Sequence, residues 1–177
     1  MIAFDANLWI ARYDRSIRTP IDPSTGDPIE HAQDRVKNLI SEAAKRKETL
    51  LVPTPVLSEV LAYTDERRFD MIASINSSAT LKVAPFDMKA AIELAEMNLE
   101  AVAGDKKFGS EDPYQKTKID RQIVAICKAN NCDALYTTDR SLGNFAKRFG
   151  LEVRHLSDIP LPDEERQFDM FPHTEAD

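Results

Sequence analysis

The chain has 177 residues, enough for one domain with its own core, and its 42% apolar and 30% charged content is that of an ordinary globular protein. Its apolar runs are too short to span a bilayer, and the start "MIAFDANLWI" lacks the positive charge and long apolar segment of a secretion signal, so the expected location is the cytoplasm. Net charge is −7, but residues 158–177 hold seven acids against one base and carry −6, which leaves −1 on residues 1–157; global charge neither supports nor excludes a polyanionic substrate.

In chain order, residues 2–4 read as a short buried strand that stops at Asp5, and residues 6–12 as the start of a helix. "IRTPIDPSTGDPIE" is a turn-rich loop with three prolines and a glycine. Over residues 30–47 the apolar positions Val36, Leu39, Ile40 and Ala43 recur at helical spacing. "TLLVP" is a buried strand, followed by Thr54 as N-cap and Pro55 at the first helical position. A second helix covers residues 66–75, "LKVAPF" is a strand, and Asp87 caps the helix of residues 88–103.

A polar loop then precedes a helix from about residue 116 to residue 130, and "DALYTT" is a strand that stops at Asp139. "SLGNFAKRFG" is a short helix ended by Gly150, and "LEVRHL" is the last strand. Cys127 and Cys132 have no Cys or His at zinc-ligand spacing and read as structural, and His31, His155 and His173 make no metal-binding pattern. Alternating strands and helices predict a three-layer α/β/α domain around a mostly parallel sheet of about five strands, over residues 1–157, with an acidic, proline-containing tail at 158–177.

In such sheets ligands bind beyond the carboxyl ends of the strands, and four acids converge there. Asp5 and Asp139 each end a strand. Glu59 lies in the second turn of the helix leaving the second strand. Asp120 lies near the start of the helix that feeds the "DALYTT" strand, and that helix must run antiparallel to its strand. Capping alone accounts for Asp5 or Asp139 about as well as a ligand role does, and "KTKIDR" around Asp120 could be a solvated charge run. The joint pattern is more specific, because independent caps have no reason to share an edge with Glu59. Clustered carboxylates repel unless a cation neutralises them, and Mg²⁺ or Mn²⁺ prefers such oxygen ligands. All-carboxylate sites suit phosphodiester chemistry.

These residues resemble the PIN-domain nucleases, closest to the VapC-type toxins of toxin–antitoxin systems. The motifs are "FDANLWI", "PTPVLSEVLAY", "KIDRQIVAIC" and "YTTDRSLGNF", in order over residues 1 to about 157. The resemblance implies a Mg²⁺- or Mn²⁺-dependent endoribonuclease using one or two ions. In it Asp5, Asp120 and Asp139 are metal ligands, and Glu59 ligates directly or through water. Asn7 and Thr137 fix the carboxylates by hydrogen bonds. It further implies an RNA substrate, a homodimer and a partner antitoxin.

Ala6 departs from the hydroxyl residue common after the first Asp, and the 14–29 loop and acidic tail lengthen the chain beyond the minimal toxin type. The basic residues Lys106, Lys107, Lys116, Lys118 and Arg121 around the third motif are candidates for substrate phosphates, with solubilising charge as the alternative. Rival readings are a PIN-fold nuclease outside toxin–antitoxin systems, a non-catalytic binding module of the same fold, and a haloacid-dehalogenase-like phosphatase. Asn7 counts against the phosphatase, since a second Asp is required at that position.

Overall fold

The segments "IAF", "LLVP" and "ALY" have no polar face, so as strands they are suited only to the middle of a covered sheet. The computed structural model, which describes residues 1–13, 19–22, 24–64, 68–103 and 114–161, places them there. The strands β1 (Ile2–Phe4), β2 (Leu50–Pro53), β3 (Leu81–Ala84), β4 (Ala134–Tyr136) and β5 (Glu152–Arg154) form one sheet in the order β3-β2-β1-β4-β5. Every neighbouring pair is parallel, with Ile2 opposite both Leu50 and Ala134. The three central strands are buried throughout, while the edge strands carry Lys82, Glu152 and Arg154.

Among the described residues seven helices flank the sheet: α1 (Ala6–Tyr13), α2 (Ala32–Lys45), α3 (Thr54–Thr64), α4 (Arg68–Ser77), α5 (Met88–Ala103), α6 (Tyr114–Ala129) and α7 (Arg140–Arg148). The result is the expected three-layer sandwich. α2 buries Val36, Leu39 and Ala43 on the stripe that the periodicity predicted. Asp87 caps α5, its Oδ1 accepting the Ala90 N–H at 3.0 Å. No described helix is long and apolar enough to cross a membrane.

Some boundaries differ from the sequence reading. α3 begins at Thr54 itself, and β4 ends at Tyr136, which leaves Thr137 beyond the strand. α6 begins at Tyr114, so Asp120 falls in its second turn. The packed body also continues past residue 157. Leu156 and Ile159 are buried, the Arg35 guanidinium donates to the carbonyls of Ser157 and Ile159, and Asn38 Nδ2 donates to Pro160 O at 2.8 Å. Lys106, Lys107 and the tail from residue 162 lie outside the described residues.

Three helices turn back into the sheet through one device. After α2, α6 and α7 the chain passes through a left-handed residue, Lys47, Asn131 or Gly150, with φ of 55°, 54° and 81°. In each, the two N–H groups at the turn close on the last helical carbonyls; for α7 these are Gly150 N to Lys147 O and Leu151 N to Ala146 O, both 3.1 Å. A strand begins within three residues each time. Only one of the three positions is glycine, the residue that adopts this conformation without a Cβ penalty. Lys47→Gly is therefore expected to raise stability by about 0.5 kcal/mol, and Gly150→Ala to lower it by about 1 kcal/mol, in urea unfolding. Loss of stability in Lys47→Gly would contradict this account of the turns.

Candidate active site

The sheet order places β1 between β2 and β4, so the chain leaves β1 toward one side and later returns on the other. A crevice at such a switch point is where open parallel sheets bind ligands. Asp5 and Thr137 face each other across it. The Asp5 N–H donates to Tyr136 O at 3.0 Å, which carries the β1/β4 pairing one residue past the strand. Thr137 Oγ1 donates to Asp5 Oδ2 at 2.9 Å and accepts the Asp139 N–H at 3.0 Å, so one hydroxyl joins the two acids. In the core, Phe4, the residue before Asp5, contacts Trp9 and Tyr136 with ring centroids 5.4 and 5.6 Å away.

Both acids also serve helices. Asp5 Oδ1 accepts the N–H of Ala6, the first residue of α1, at 2.7 Å. Asp139 Oδ1 accepts the N–H groups of Ser141 and Leu142 at 2.7 and 3.1 Å, an N-cap for α7. The second oxygen of Asp139 is left over, and the Lys116 ammonium stands 2.6 Å from it.

The charges are unevenly satisfied. Asp5 is 7% exposed, and its pKa is pushed up from the ordinary 3.8 to about 6. Burial is the main cause; the hydrogen bonds from Thr137 and Ala6 oppose it, and the Glu59 and Asp139 carboxylates add to it. For Asp139, burial again disfavours the charge, but Lys116 and the two capping N–H groups outweigh it and hold its carboxyl below the usual range. Glu59 sits exposed in the second turn of α3, close enough for its charge to be felt at Asp5. Asp120, half-buried, lies one turn beyond Lys116 on α6, so the two share a helix face.

Other sequence candidates are placed differently. Asn7 is exposed on α1, and among the described residues it makes no hydrogen bond to either carboxylate, so the bridging falls to Thr137. Lys118 is exposed. Arg121 packs between α5 and α7, with Nη1 3.4 Å from Asn98 Oδ1 and its guanidinium over the Phe145 ring at 5.4 Å. Sequence reasoning missed His155, whose Nδ1 stands 3.2 Å from Thr137 O. A carbonyl only accepts, so Nδ1 carries the proton. The strand-end rule that found Asp5 and Asp139 also applies to this residue, just past β5.

Among the described residues, no three His, Cys, Asp or Glu side chains stand together as a finished metal cage. The fit to a hard divalent cation lies in donor chemistry and charge. The candidate donors are carboxylate oxygens, Asp5 is under-neutralised, and the free oxygen of Asp139 already holds a cationic group.

Similar folds occur among solved structures. VapBC2 from Rickettsia felis, bound to a DNA fragment from their promoter, matches with a TM-score of 0.55 and 18% identity over 88% of this chain and 98% of that one. FitAcB from Neisseria gonorrhoeae matches at 0.53 and 16% identity, over 89% and 99%. DNA-bound VapBC from Salmonella typhimurium matches at 0.53 and 14% identity, over 88% and 97%. No family model and no curated protein matches the chain. The chain shares the fold of these structures, a PIN-domain fold. At these identities the likeness fixes the fold, and the chemistry must be argued from the site.

The raised pKa of Asp5 makes a signed prediction. Between about 3.8 and 6 the folded state keeps a proton that the unfolded chain releases, so wild-type stability falls as pH rises through that window, by up to about 3 kcal/mol. In metal-free buffer, Asp5→Asn should be more stable than wild type by roughly 1–3 kcal/mol above pH 6, with the gap closing toward pH 4. A gap that does not change with pH in urea unfolding would contradict this.

Proposed function

We propose that the chain is a Mg²⁺- or Mn²⁺-dependent endoribonuclease and the toxin component of a toxin–antitoxin pair. The observation that carries the reading is the pair Asp5 and Asp139 at the sheet's switch point, tied together by Thr137 and within the field of Glu59. Asp5, Asp120, Asp139 and Glu59 are the residues that would hold the metal. When bound, it polarises the phosphoryl oxygen, lowers the pKa of the attacking water and steadies the leaving oxyanion.

The chain's own residues divide the remaining work. The Thr137 hydroxyl and the Ala6 N–H orient the Asp5 carboxylate, and the caps of α7 fix one Asp139 oxygen while leaving the other for a cation. Glu59, at the exposed mouth, orients the attacking water. Lys116 serves Asp139 as counter-ion and would meet a substrate phosphate if a cation were held by Asp139; Lys118 would add a second cationic contact on the same helix. The solved neighbours are toxin–antitoxin complexes, which supports an antitoxin as partner. A second copy of the chain and a cytoplasmic location complete the proposal.

Cleavage of defined single-stranded RNAs with and without Mg²⁺ or Mn²⁺ tests the chemistry. Wild type should cut only with metal. Asp5→Asn and Asp139→Asn should lose about a hundredfold or more in rate while keeping a cooperative thermal transition. Wild-type protein, free of any bound inhibitor, that cuts no RNA would point instead to the non-catalytic module.

A further inference from the structure

A cleft of about 280 Å³ opens beside Asp139, close to the size at which ligand sites begin, roughly 300 Å³. One wall is a single face of α7, where Arg140, Gly143, Asn144 and Lys147 recur at i, i+3, i+4 and i+7. Two of these are cationic, one carries an amide, and Gly143 is buried against the sheet. A Cβ at position 143 would stand 3.4 Å from Val153 Cγ1 and 3.6 Å from Thr137 Cγ2. His155 lines it too, its ring held by Thr137 O, the backbone of the residue that ties Asp5 to Asp139.

Ser24, from the loop by which this chain exceeds the minimal toxin pattern, also lines the cleft. That loop has its own internal bonds. Ile21 and Pro28 form an antiparallel bridge, Asp22 N donates to Asp27 O at 2.8 Å, and Gly26 N donates to Asp22 O at 2.9 Å with Gly26 at φ 83°. Asp22 Oδ1 also accepts the Ser24 N–H at 2.7 Å. The cleft is thus lined both by the helix that Asp139 caps and by a residue of this closed turn.

We propose that this cleft is a subsite for one nucleotide of single-stranded RNA beside the scissile phosphate, an inference that rests on the nuclease reading above. Arg140 and Lys147 meet the phosphates flanking that nucleotide. The Asn144 amide, donor and acceptor together, reads the edge of its base, and the His155 ring offers a stacking face. Only an unpaired base has that edge and both faces free, which excludes duplex substrates. Because Ser24 comes from the added loop, the nucleotide preference belongs to this chain and not to the fold.

Binding of a fluorescent single-stranded RNA in EDTA, followed by mapping of cut positions with Mn²⁺, tests the assignment on wild type, Lys147→Ala and Asn144→Ala. Both side chains are at the surface, and thermal melts verify that each variant is folded. Lys147→Ala is expected to weaken binding about three- to tenfold and to make the slope of log affinity against log salt shallower by about 0.7. Asn144→Ala is expected to leave the slope unchanged and to broaden the nucleotide preference next to the cut. If wild type binds and cuts while both variants keep its affinity, slope and cut positions, the subsite is refuted and the nuclease reading stands. A wild-type chain that neither binds nor cuts single-stranded RNA overturns both.

Discussion

The bond from the Thr137 hydroxyl to Asp5 is the contact on which the rest of the site depends. It can form only because β1 and β4 are adjacent and parallel, so that both strands end at the same height, with Phe4 opposite Tyr136. Burial desolvates Asp5 and raises its proton affinity, and the nearby carboxylates raise it further. The fold thus holds a carboxylate where its charge is disfavoured and surrounds it with more negative charge. An arrangement that costs stability in the free protein is intelligible if a cation completes it.

The same geometry resolves the tension between caps and ligands. A carboxylate has two oxygens, and a helix start needs only one of them. Asp139 gives Oδ1 to α7 and presents Oδ2 to Lys116; Asp5 divides its oxygens between Ala6 and Thr137. Capping pins the carboxylates, which is what a site with demanding geometry requires. Lys116 is the counter-ion of Asp139 and holds its carboxyl in the charged form.

Much of this was legible in the sequence, and the reasons are local. Asp5 and Asp139 stand out because apolar runs stop at them, and a strand's end is fixed by its own residues. Asp120 follows from the rule that a helix between parallel strands runs backward. Glu59 needed its apolar neighbours to place its helix against the sheet. What stayed hidden depends on packing between distant segments. That Lys116 meets Asp139, that Arg121 is taken up by Asn98 and Phe145, and that Asn7 faces solvent while Thr137 does the bridging are set by how α1, α6 and α7 rotate against the sheet. The cleft along α7 needed the same rotation and the placement of a loop more than a hundred residues earlier in the chain, which no short motif encodes.

The central claim is that the carboxylates at the switch point form a cation site. Titration of the metal-free protein with Mn²⁺, followed by the loss of the free-ion paramagnetic resonance signal, tests it without reference to any substrate. The account predicts saturable binding by the wild-type chain, lost in Asp139→Asn and strengthened in Lys116→Met, where the competing ammonium is gone. A wild-type chain that binds no Mn²⁺, or binding that Asp139→Asn leaves unchanged, would contradict it.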